Sequence, residues 1–143
     1  MDQAHWRVSG VRDLPAFLRA LPTLLPANSI LRLELDANPD EDVARVLQQF
    51  AIRSNMTRNR GTLWPRSELH HVPITPEVMS ALAELAEVRA EHDMVDHMIA
   101  YRDDEILLEW YDAIYDPIFV SRAIGKSALS TFAQAVGGEL DDV

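Results

Sequence analysis

The sequence predicts an α+β fold. One domain carries a mixed or antiparallel sheet with helices packed mainly on one face, in the rough order β-α-β-α-β-α-β-β-α. Three observations lead there. Strand and helix periodicities alternate along the first two-thirds of the chain. The stretch Met98–Asp116, MIAYRDDEILLEWYDAIYD, reads as a β-hairpin, with β-formers on either side of a polar turn at Asp103–Asp104. Finally, Ile30–Leu35, ILRLEL, sets Leu31, Leu33 and Leu35 on one face and Arg32 and Glu34 on the other. A strand buried on both sides would be apolar throughout, so a doubly wound α/β sheet is the weaker layout. At least part of the sheet is expected to be covered on one side only, or to meet something polar on the second.

His5–Gly10 is a short first strand. Asp13 caps the helix that follows, Pro15 occupies its first turn, Phe17, Leu18 and Leu21 form its apolar stripe, and Pro22 and Pro26 are expected to stop it. Asn28–Ser29 is a turn into the Ile30–Leu35 strand. In DANPDED, Asn38 is the expected N-cap and Pro39 the first helical residue. Asp40, Glu41 and Asp42 fill the first turn, where the helix dipole favours carboxylates. Val43, Val46, Leu47 and Phe50 then face inward. The Asp36-x-Asn38-x-Asp40 spacing is that of a calcium loop. Glu41 stands where such a loop needs glycine and Leu47 where it needs glutamate, so capping is the reading kept.

Arg53–Arg66 reads as a loop with four arginines and no acid. Ser67–Ile74 is a strand in which His70 and His71 point to opposite faces, and Pro73 makes it an edge or ends its pairing. Thr75-Pro76-Glu77 starts a helix that presents Met79, Leu82, Leu85, Ala86 and Val88 to the core and frays near Glu91–Asp96, with Arg89 positioned to pair with Asp93. In the hairpin, Ile106, Leu108 and Trp110 are expected on one face and Leu107, Glu109 and Tyr111 on the other. Ile118–Val120 is a short strand or a buried loop. Lys126–Val136 is the last helix, with Gly137 just past its end. The single domain is taken to span residues 1–138, and residues 139–143 to be an acidic flexible tail.

The chain has 143 residues, enough for one domain with its own core. Its 48% hydrophobic and 25% charged content is that of globular proteins, so disorder is not the default. No run approaches the roughly 20 apolar residues of a membrane span. The first ten residues lack the basic and apolar regions of a secretory leader, and there is no cysteine, so a cytoplasmic location is expected. A net charge of −10 argues against nucleic acid and anionic membranes as partners.

Motifs for chemistry are sparse. Glycine-rich phosphate loops and the nucleophile elbow are absent, so no cofactor is expected. His92 and His97 are five residues apart, about 140° around a helix, which is poor metal-ligand spacing, and no metal ligands are assigned. No acid, serine or threonine is set by sequence to complete a triad with His70 or His71. No catalytic residue is assigned, and the balance lies against an enzyme.

The one strong contrast is electrostatic. Asp103–Asp116 carries six acids and no base, whereas Arg53–Arg66 carries four arginines and no acid. Glu109 stands in the middle of an apolar strand, where a carboxylate needs a partner. Two classes of function follow. The first is a small acidic bacterial-type cytosolic module that binds another protein through its sheet face and acidic hairpin. Its role would be immunity- or antitoxin-like, masking a basic partner, with self-association as a homodimer the related option. The second is a binding protein or enzyme for an anionic small molecule, with a polar site between the arginine loop and the hairpin. Arg58, Arg60, Trp64, His71, Glu109 and Tyr111 would line that site. The first is the expected class, and convergence of those six residues on one concavity would favour the second.

Overall fold

The computed structural model describes residues 5–35, 40–53, 68–90 and 94–142. Within them the order is β1 (His5–Ser9), α1 (Leu14–Leu24), β2 (Ile30–Leu35), α2 (Glu41–Phe50), β3 (Glu68–Pro73), α3 (Pro76–Ala86), β4 (His97–Arg102), β5 (Glu105–Trp110), β6 (Ile118–Ser121), α4 (Lys126–Ala135) and β7 (Glu139–Asp142). The seven strands form one sheet in the order β3-β2-β4-β5-β6-β1-β7, and every neighbouring pair is antiparallel. The expected α+β class is that of the molecule, and the expected element order holds in outline, with β6 and β7 added to it.

Side-chain alternation assigns one face of the sheet to the core. Leu31, Leu33, Val72, Met98, Ala100, Leu108, Trp110, Ile118, Val120, Trp6 and Val8 lie there with the apolar stripes of the helices. Phe17 of α1 sits at the centre, its ring 4.6 Å from that of Trp110 and 5.9 Å from that of Phe132 in α4. The buried Trp110 donates its indole N–H to the Asp116 carbonyl at 2.7 Å, so its polar end is satisfied.

Local chemistry explains most boundaries. The Asp13 carboxylate accepts from the Ala16 N–H at 3.0 Å, and the Thr75 hydroxyl from the Val78 N–H at 3.2 Å, as capping requires. After α4, the Gly138 N–H bonds the Ala133 carbonyl and the Gly137 N–H the Gln134 carbonyl, with Gly137 at φ +71°. That is a Schellman closure, which needs a residue tolerant of the left-handed region. The β4–β5 turn falls on Asp103–Asp104, with Asp103 at φ +54°.

Several expectations are corrected. Pro22 lies inside α1, which runs on to Leu24; one backbone bond is lost near the end, and burial of Leu21 and Leu24 outweighs it. Pro26 makes the stop, holding the preceding Leu25 extended at ψ 151°. Asp40, not Asn38, caps α2, accepting from Asp42 N–H at 2.9 Å and Val43 N–H at 3.2 Å; Asn38 and Pro39 lie outside the described residues. Helix α3 ends at Ala86, which leaves Val88 77% exposed. Arg89 reaches back to α2 and pairs with Asp40 at 3.1 Å and Asp42 at 2.5 Å, while its expected partner Asp93 lies outside the described residues.

The chain's end also differs from expectation. Glu139–Asp142, read as a loose tail, is β7, paired with β1 through Trp6–Ser9. Asp141 fastens it, accepting from Ser9 Oγ and facing Arg7, each at 3.4 Å.

The hairpin departs from simple alternation. Met98, Ile99 and Ala100 oppose Trp110, Glu109 and Leu108, but Tyr101 opposes Ile106. Leu107 is therefore an extra residue, a β-bulge. It turns Leu107 to the core side beside Leu108 and moves Ile106 onto the opposite face with Glu109, the reverse of the expected assignment.

Candidate functional site

The sheet face turned away from the helices carries the polar residues, and the register joins them into a row. From one edge to the other, His71, Arg32, Ile99, Glu109, Phe119, Arg7 and Asp141 are cross-strand neighbours. The two halves of this face differ in character.

Over β3, β2 and β4 the face is buried. Arg32 and Glu34 keep only 3% and 6% of their side-chain surface, and pair at 3.3 Å. Residues two apart on a strand share a face, which places the two charges side by side. A buried pair at this separation removes from water two ions that would be costly alone. Next to them the His71 Nδ1 and the Tyr101 hydroxyl lie 2.9 Å apart, with their rings edge to face. Burial, then the charges of Arg32 and His70, hold the His71 imidazole below its ordinary value of 6.5. Ile99 and Tyr101 are buried here as well, apart from the helix-side core. One row along, Glu34 is opposite His97, whose ring meets Tyr111 at 5.7 Å and whose Nδ1 accepts from the Asp112 N–H at 2.9 Å.

Over β5, β6 and β1 the same face opens into a groove of about 800 Å³. Its floor includes Ile106 and Phe119, and His5 and Ser121 form its far wall. Asp103, Asp104, Glu105 and Glu109 bring four carboxylates to it, against Arg102 and His5 as its basic groups. Glu109 makes no ion pair or side-chain hydrogen bond among the described residues. Its cross-strand neighbours are Ile99 and Phe119.

Of the six residues expected to line a site, Arg58, Arg60 and Trp64 lie outside the described residues. His71, Glu109 and Tyr111 all belong to this face but do not converge. Three strand spacings, about 14 Å, separate His71 from Glu109. Tyr111 is drawn past the end of β5 to His97. Sequence reasoning missed the buried Arg32–Glu34 pair and Tyr101. The alternation in ILRLEL placed the two charges on this face, but did not say that the face would be covered there.

The class defined by this architecture is a single-domain α+β protein with an antiparallel sheet whose second face is half buried and half an acidic groove. Comparisons with family models, curated proteins and solved structures find no match for the chain. Among the described residues, no helix is long and apolar enough to cross a membrane, and no three His, Asp or Glu side chains are grouped to hold a metal ion.

Proposed function

We propose that this chain is a protein-interaction domain that receives a basic segment of another protein in the groove over β5, β6 and β1. The observation that carries the reading is the chemistry of that groove. Four carboxylates stand over an apolar floor, and opposite charge together with buried apolar contact is what steers and holds a basic protein segment. The groove's volume falls in the range of about 300–1,000 Å³ typical of binding clefts. Masking a basic surface of the partner, as an immunity protein or antitoxin does, is the role that suits this site. The lack of cysteine suits a reducing compartment, so the cytoplasm is the proposed location. An anionic small molecule is the poorer ligand. On the described part of this face Arg32 is already committed to Glu34, and His71 and Glu109 are too far apart to grip one molecule.

The test is an amide-resolved NMR titration with a capped pentapeptide that alternates arginine and valine. Shifts should concentrate at Asp103–Glu109 and Phe119. Binding should weaken several-fold with added salt and in the triple variant Asp103→Asn/Asp104→Asn/Glu105→Gln. Asparagine tolerates the left-handed backbone at position 103, so the turn survives the change. Shifts scattered over the surface, or binding indifferent to the neutralised turn, would remove the proposal.

A further inference from the structure

We infer that the basic segment enters this groove as an added β-strand, pairing its backbone with Glu105–Leu107 of β5. The inference rests on the interaction reading above and specifies the form its partner takes.

Strand β5 is paired with β4 from Glu105 to Trp110, except at the bulged Leu107. Toward β6 it is paired only through Leu108 and Glu109. Strand β6 goes on to Ser121, but there its partner is His5 of β1, on its other side. The extra residue at Leu107 bends β5 away at the point where pairing with β6 ceases. Glu105 and Ile106 therefore have one strand neighbour instead of two, Leu107 is in register with neither, and all three line the groove. Among the described residues none of them makes a backbone hydrogen bond to a turn or loop. Each residue carries a donor and an acceptor, so the groups not used toward β4 are open to an incoming chain. The length of this edge is about 10 Å.

The sheet's outer edges are guarded by comparison. Pro73 ends β3, and the Ile52 N–H already bonds the His71 carbonyl on that strand at 2.9 Å. Strand β7 is four residues long and carries the charged Glu139 and Asp141. The gap beside β5 has no proline and, among the described residues, no loop bonded to its backbone. It offers backbone pairing, an apolar side chain in Ile106 (37% exposed) and the turn carboxylates at one end. Strand addition joins main-chain bonds for affinity with alternate side chains for selectivity. The matching ligand is an extended segment whose alternate side chains on the groove side are basic, laying their methylene stems on Ile106 and Phe119 while their charged ends reach Asp103, Asp104 and Glu109.

The experiment uses the full chain, the arginine–valine pentapeptide and two derivatives, each N-methylated at one of its two alternating sets of residues. Charge and side chains are then constant, and only backbone donors change. Strand addition predicts that methylating one set weakens binding about tenfold or more while the other is tolerated. It also predicts that the free peptide slows amide exchange at Glu105–Leu107. If both methylated peptides bind in the groove as well as the parent, the acidic groove stands as a binding site and strand addition is refuted. If no peptide shifts the groove, both readings fall. If sedimentation shows the protein alone to be a stable dimer with Glu105–Leu107 already protected, a second copy fills the edge and the inference is overturned.

Discussion

The substitution Glu34→Gln isolates the largest electrostatic term on the buried half of the sheet face. The change keeps the shape of the side chain and strips its charge, leaving the Arg32 guanidinium 3% exposed with no counter-charge. At the observed 3.3 Å, and with the effective dielectric of about 20 that suits protein charge pairs, the lost attraction is about 5 kcal/mol. Breaking one side of a buried pair costs about 3–5 kcal/mol in general, so the two routes agree. A domain of this size is stable by about 5–15 kcal/mol, and the variant should be near unfolding. The double replacement Arg32→Met/Glu34→Leu removes both ions and should recover most of the loss, because desolvation then disappears with the attraction. Urea denaturation of the wild type, both single variants and the double variant gives the coupling directly, with Trp6 and Trp110 as buried fluorescent reporters. The coupling should persist in about 1 M salt, since buried pairs are weakly screened. A loss under about 1 kcal/mol for Glu34→Gln, or a double variant as unstable as the two singles combined, would refute the reasoning.

Three further outcomes are expected. Because His71 titrates below 6.5 in the native state, the unfolded chain binds its proton first as the pH falls. Its stabilising contribution is complete above pH 6.5 and lost as the pH drops through that value toward the native one; His71→Gln should flatten this limb, and an NMR midpoint for His71 at or above 6.5 would count against it. Asp40 is held below the ordinary carboxylate value of 3.8, first by its bond from the Val43 N–H and also by Arg89. Its contribution is present above pH 3.8 and lost below, so Asp40→Asn should be less stable than wild type near neutrality and converge with it in acid, read by chemical denaturation. At Gly138 an added Cβ would stand 2.7 Å from Val11 Cγ2 and 2.8 Å from Val8 Cγ1, both on stiff side chains. Gly138→Ala should cost about 1–3 kcal/mol and speed amide exchange in β7; a variant as stable as wild type would show that the packing there yields freely.

Residues whose surroundings are local were legible in the chain. Asp13, Thr75 and Gly137 each act on atoms two to five positions away, so composition alone specified those helix ends. The same holds for the bounds of β2, the Asp103–Asp104 turn and the choice of an α+β sheet over a doubly wound one, which rests on the charged alternate positions of ILRLEL. Period-two alternation also put His70 and His71 on opposite faces, because a strand's side chains can point only two ways.

What remained was decided by partners distant in sequence. Glu139–Asp142 has poor intrinsic strand propensity and becomes β7 only because β1, 130 or more positions earlier, offers a free edge. Leu107 and Ile106 exchange faces because pairing with β4 inserts a bulge, and no local pattern in EILLEW marks which residue is extra. Alternation placed Arg32 and Glu34 on one face of β2, and pairing through β4 brought Glu109 onto it. Only the assembled sheet made the first two a buried ion pair and left the third facing an open acidic groove, for burial is a property of what lies against a face and not of the strand that presents it.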